Sequence, residues 1–211
     1  SYYLSLFCFP ISILAFINIL YSSYFDYFLS ITSYITTLVL SFFIGFGLFF
    51  IGKKSDKKIN FIEQLLLIIL VYLLISFFIA LPFYLSNYQV TFLNSFFEAI
   101  SGITGTGFSI FKNIKYLDPT LILWRSSSQW IGGLYFLFSI IFLIDIYDQS
   151  LKKSLTNFIS FNNSEILKQS VKIFILYFIL TILIFIILEL IGIRSFNSLN
   201  LAMSLISSGG F

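Results

Sequence analysis

Histidine is absent from the chain and cysteine occurs once, at Cys8. Those two absences remove imidazole metal ligands, a Ser-His-Asp triad and any intrachain disulfide. Charge is scarce too: 10% of residues are Asp, Glu, Lys or Arg, against about 25% in ordinary soluble domains. No carboxylate cluster stands at catalytic spacing, so the chain is expected not to be an enzyme, with no bound cofactor and no nucleic-acid partner. It begins at Ser1 without a basic segment or a small-residue cleavage site, which argues against a secretory signal peptide. It reads as a fragment of a longer protein.

What the chain has in quantity is apolar surface. Hydrophobic residues make up 59% of the sequence, and the mean hydropathy of +1.01 is more than a soluble core needs. The 29 Phe, together with abundant Ile, Ser, Asn, Lys and Tyr, suggest AT-rich coding, so Phe stripes are expected to face lipid. The expectation is an all-α integral membrane protein surrounded by membrane lipid. Residues 2–21 and 29–51 each have the length of a spanning helix and form an amino-terminal hairpin within residues 1–52.

Next comes Lys53-Lys-Ser-Asp-Lys-Lys58, placed in the cytoplasm by the excess of basic residues on inner loops. Residues 60–84 then run outward and 119–146 return, with Asp118-Pro119 as a helix start. A cytoplasmic linker over 147–170 carries Lys152, Lys153 and Lys168, and 171–193 runs outward again. Eight of the twelve basic residues fall on the inner side of this arrangement. The amino terminus is therefore expected in the cytoplasm.

Between two membrane-length segments lies Val90-Thr-Phe-Leu-Asn-Ser-Phe-Phe-Glu-Ala-Ile-Ser-Gly-Ile-Thr-Gly-Thr-Gly-Phe108. A helix over 90–101 covers roughly 18 Å, too short for a hydrocarbon core of about 30 Å. Three Gly and two Thr follow within six residues, poor helix material that is tolerated at membrane depth only where protein or water lines it. These features predict a re-entrant loop, a half-helix entering and an extended strand returning. The segment also has a second copy. Setting 93–108 against 196–211 without a gap gives seven identities in sixteen positions, among them Ser101 with Ser204 and Gly107 with Gly210. Such a repeat implies a repeated structural unit: residues 60–146 hold one membrane-loop-membrane unit and 171–211 the start of another.

Backbone carbonyls of Thr104, Gly105, Thr106 and Gly107, with those of Ser207, Ser208, Gly209 and Gly210, are expected to replace part of a cation's water shell. The negative ends of the two short helices would favour that charge. The plainer alternative is that Gly107 and Gly210 only cap helices. Glu98 and Arg125 are ionisable at membrane depth, a functional signal by default. They are expected to support the first loop; the competing readings are a carboxylate in an outer water vestibule and an arginine reaching to the interface. Gly132-Gly133 serves either close helix packing or a hinge.

The segment Asn94-Ser-Phe-Phe-Glu-Ala-Ile-Ser-Gly-Ile-Thr-Gly-Thr-Gly-Phe108, followed by Leu123-Trp-Arg-Ser-Ser-Ser-Gln-Trp-Ile-Gly-Gly133, resembles the first repeat of the Trk/Ktr/HKT potassium transporters, and of their bacterial TrkH-like members above all. Ser204-Leu-Ile-Ser-Ser-Gly-Gly-Phe211 is similar to the filter of the second repeat. The resemblance implies a potassium pore of four such repeats, of which this chain supplies one and the start of another. It also implies one filter glycine per repeat, here Gly107 and Gly210. Further implications are a bacterial inner-membrane location, a homodimer of full-length chains and a cytosolic nucleotide-binding regulatory ring. Gly105 departs from the family's usual Thr-Thr-Thr-Gly. Two alternatives remain open, a non-conducting assembly subunit and a sodium-permeable channel of the same fold.

Overall fold

A computed structural model describes residues 2–27, 31–53, 61–147 and 166–210 of the chain. Seven α-helices follow one another there: α1 (Tyr2–Tyr24), α2 (Ile31–Gly52), α3 (Phe61–Tyr84), α4 (Phe92–Thr104), α5 (Pro119–Tyr147), α6 (Ile166–Leu190) and α7 (Ser195–Ile206), with a 3-10 turn at Ile114–Tyr116 before α5. No strand occurs among the described residues. Most of the basic run at 53–58 and most of the 147–170 linker lie outside them, and so does Phe211.

The amino-terminal hairpin packs through small side chains. Ser5, Cys8, Ser12, Ala15 and Asn18 recur every three or four positions on α1, and all are buried. Ser12 and Ser41 of α2 share a hydrogen bond of 2.8 Å, and a Cβ on Gly45 would stand 2.9 Å from that of Cys8. Lipid is as apolar as the helices themselves, so such close backbone approach and interhelical polar contacts hold membrane helices together.

Among the described residues, four segments are long and apolar enough to cross a membrane: Tyr3–Tyr24, Ile31–Gly52, Ile62–Tyr84 and Val171–Leu190. The span expected at 119–146 lies within α5, whose 29 residues extend over roughly 43 Å. Its polar Arg125-Ser-Ser-Ser-Gln129 stretch is turned inside the protein. Ser126, Ser127 and Ser128 each donate to a carbonyl of the preceding turn of α5, and Trp124, Arg125 and Gln129 are buried. The other helices gather round α5. Trp124 Nε1 donates to Ile79 O on α3 at 3.0 Å, Tyr34 Oη of α2 to Thr120 Oγ1 at 3.2 Å, and Tyr135 Oη to Phe7 O of α1 at 2.7 Å. Asp118 caps α5 as its sequence indicates, accepting from the Thr120 amide at 3.0 Å.

Two boundaries differ from the sequence reading. Residues 102–104 continue α4 instead of leaving it, with Gly102 and Ile103 buried inside the protein. α6 starts at Ile166, earlier than expected, and is packed on one side only: 11% of its apolar window is buried, against 44% for α3.

Candidate ion pathway at two re-entrant loops

The first short helix, α4, is opened by Thr91, whose side chain accepts from the Asn94 amide, and closed by Gly105, whose φ of 69° lies in the left-handed region. The turn is tied down by its own backbone. Gly105 N donates to Gly102 O at 3.1 Å and Thr106 N to Ser101 O at 3.1 Å. Past the turn, Ser101 Oγ donates to Phe108 O at 2.6 Å, and Gly107 takes a φ of 76°.

The second loop repeats this arrangement 103 positions later. Ser208 N donates to Leu205 O at 3.1 Å and Gly209 N to Ser204 O at 2.9 Å, the same two bonds from the same two positions. Ser208 stands where Gly105 does and carries the left-handed angle, with φ 54°. Gly107 and Gly210, matched by the repeat, are where glycine's backbone freedom would be needed if both loops turned alike. That holds for Gly107, whereas the φ of Gly210 is outside the left-handed region and Ser208 takes the strained angle in its loop.

The loops meet. A Cβ on Gly107 would overlap Gly210 Cα and stand 2.7 Å from Gly210 N, and one on Gly210 would stand 3.1 Å from Gly107 Cα. The eight residues expected to line a filter therefore lie on two facing loops, Thr104 ending α4 and the others following the ends of α4 and α7. Gly105, Gly107, Ser207 and Gly209 are half-buried and Thr104, Thr106, Ser208 and Gly210 exposed, so the pair opens to one side. The carboxyl-terminal ends of α4 and α7 arrive at these turns with their partial negative charge. That assembly of carbonyls, hydroxyls and helix ends suits a dehydrated cation. Among the described residues no group of His, Cys, Asp and Glu could hold a metal.

Glu98 and Arg125 come together. Arg125 Nε donates to Glu98 Oε1 at 2.8 Å, with side-chain exposures of 2% and 0%, so neither the water vestibule nor the interfacial arginine describes them. The pair grips the chain just past the first turn. Glu98 Oε2 accepts from Ile110 N at 2.8 Å, Glu98 Oε1 accepts from Ser109 Oγ at 3.0 Å, and the Arg125 guanidinium also donates to Ser109 Oγ at 3.0 Å. Its Cζ lies 5.8 Å above the Phe111 ring.

Behind both loops stands α5. Gly132 lies directly against the Ile103 backbone of α4, and a Cβ on Gly133 would come within 3.1 Å of Ser207 Cα. The glycine pair thus seats one loop on each residue, a packing role. Three contacts were not singled out from sequence. Ser101 and Ser204 hold their turns, a role signalled only by their identity in the repeat. Ser126 Oγ donates to Asn200 Oδ1 on α7 at 2.7 Å. Tyr177 Oη of α6 donates to Trp130 O at 3.0 Å, while Trp130 Nε1 donates to Thr181 Oγ1 at 2.9 Å.

Known proteins resemble this chain in sequence and fold. The family model TrkH, described as a cation transport protein, matches residues 30–211. An uncharacterized cation transporter of Methanocaldococcus jannaschii is 28% identical over 179 residues, 80% of this chain and 36% of its own. The Trk system potassium uptake protein TrkG of Escherichia coli is 31% identical over 106 residues, 50% of this chain and 22% of its own. In fold, the crystal structure of the potassium transporter TrkH from Vibrio parahaemolyticus matches 100% of this chain and 44% of that one, with a TM-score of 0.74 at 20% identity. The chain thus spans less than half the length of each of these proteins. With the family model covering residues 30–211 and the helices that fit a bilayer, the chain is a multi-pass membrane protein and belongs to the TrkH cation transport family.

Proposed function

We propose that this chain contributes two filter-bearing units to a potassium uptake pathway, with ions stripped of part of their water by carbonyls of residues 104–107 and 207–210. The observation that carries this reading is the meeting of two loops with the same turn bonds, Gly107 against Gly210. A single helix cap needs neither a partner nor a repeat. The relatives named as Trk potassium uptake proteins support potassium as the ion, and their greater length supports further repeats completing the ring. On this reading the protein sits in the bacterial inner membrane with its amino terminus and basic segments in the cytoplasm. A nucleotide-binding ring would dock on that side, and full-length chains would pair as dimers.

The test is rubidium uptake, with sodium competition, by the protein made from its complete coding sequence. Gly107→Ser must place a side chain at a left-handed angle, costing roughly 1–3 kcal/mol, and against the Gly210 backbone. It is expected to abolish uptake or erode potassium preference at matched surface expression, with Gly210→Ser milder. Unchanged flux and preference in Gly107→Ser would remove the pathway. Orientation is checked separately: a cysteine at Asp56 should resist an impermeant thiol reagent added outside intact cells, and labelling there would reverse the topology.

A further inference from the structure

The two turns share their backbone but not their side chains, and the difference is filled from elsewhere in the molecule. In the first loop Thr106 has a side chain that folds back onto Ser101: its Oγ1 lies 3.1 Å from Ser101 Oγ and 3.3 Å from Ser101 O. The equivalent of Thr106 in the second loop is Gly209, with no side chain to offer. Into that space comes Gln129 of α5. Its amide group lies where a Gly209 Cβ would be, with Nε2 2.6 Å from that point, and its Oε1 accepts from Ser204 Oγ at 2.8 Å. Gln129 is 0% exposed and Ser204 5%.

We infer that Gln129 stands in for the side chain that Gly209 lacks, making it a positioning residue of the second filter supplied by a helix of the first repeat. Ser204 Oγ also reaches Gly209 O at 3.2 Å, so the amide that engages Ser204 sits beside the carbonyl whose direction matters for an ion. The Gln129 amide fills the space beside the Gly209 backbone, which limits how far that carbonyl can turn. The glycine at 209 is explained by the same contact: its φ is outside the left-handed region, so what excludes a side chain there is Gln129, not the backbone.

This inference rests on the filter reading above, and the experiment separates the two. In the protein made from its complete coding sequence, Gly209→Thr alone should collide with Gln129, lowering the unfolding temperature and stopping rubidium uptake. Gln129→Ala alone should fold and reach the surface yet lose about tenfold in preference for potassium over sodium, the effect of a carbonyl shifted by about 1.4 kcal/mol in relative binding. Combining Gln129→Ala with Gly209→Thr rebuilds the Thr106–Ser101 pattern in the second loop and should recover both unfolding temperature and potassium preference. A double variant no better than Gly209→Thr overturns the substitution of one side chain for the other. Gln129→Ala with unchanged preference overturns the positioning role. Were the wild-type protein to take up no rubidium, the transport reading would fall, while recovery of unfolding temperature in the double variant would still establish that Gln129 holds the second turn.

Discussion

Around the first turn the fastening is ionic, with Glu98 and Arg125 gripping Ser109 and Ile110 from a buried pair. Around the second it is neutral, with Gln129 on Ser204, Ser126 on Asn200 and Tyr177 on the α5 backbone. The position equivalent to Glu98 is Leu201, 40% exposed. One backbone design is thus held by two chemistries, according to what each loop has behind it. The first loop has α5 of its own repeat and can afford a buried charge because its partner is built in. The second borrows the same helix from an adjacent face, where small and uncharged groups fit.

Substitutions that exchange the two chemistries should show this difference most strongly at the ion pair. Glu98→Leu gives the first loop the second loop's residue and leaves the Arg125 charge buried without its carboxylate, a loss of about 3–5 kcal/mol. Thermal unfolding of the purified protein is expected to fall steeply. Glu98→Leu with Arg125→Leu should recover much of the loss, because two buried charges can be replaced by apolar packing at little cost. Leu201→Gln removes no partner from a buried charge and should lower the unfolding temperature less than Glu98→Leu does. Equal losses from Glu98→Leu and Leu201→Gln would erase the distinction between the loops.

A smaller effect lies at the left-handed residue of each turn. Gly105→Ser puts in the first turn what the second already has, and its Cβ would meet only Ser207 O at 3.5 Å, an ordinary contact. The cost is then that of the backbone angle, about 1–2 kcal/mol. Ser208→Gly should gain about 1 kcal/mol or less, part of the relief being offset by glycine's greater freedom in the unfolded chain. Opposite signs in the unfolding temperature are expected; the same sign for both would mean that the turns are not equivalent.

Much of this was legible in the chain as written. Spans α1, α2, α3 and α6 are visible because about twenty apolar residues in a row have few other uses. The repeat is visible because Asn94, Ser95, Ala99, Ser101, Ile103, Gly107 and Phe108 recur in register. The segment 119–146 was legible as a returning helix, but the central place of α5 was not, since hydropathy marks a span without saying which helices surround it. Nor was the extent of α4, because Gly102 weakens a helix in isolation and its burial inside the protein is not written in the local sequence.

Sequence by itself therefore determined the membrane class, the order of the helices and the two short loops, all properties of contiguous residues. Only the tertiary structure decided that Glu98 meets Arg125 across 27 positions, that Ser204 meets Gln129 across 75, and that Gly107 faces Gly210. A hydrogen bond or a close backbone approach depends on a few ångströms between elements distant in the chain. Hydropathy and spacing carry no record of that distance.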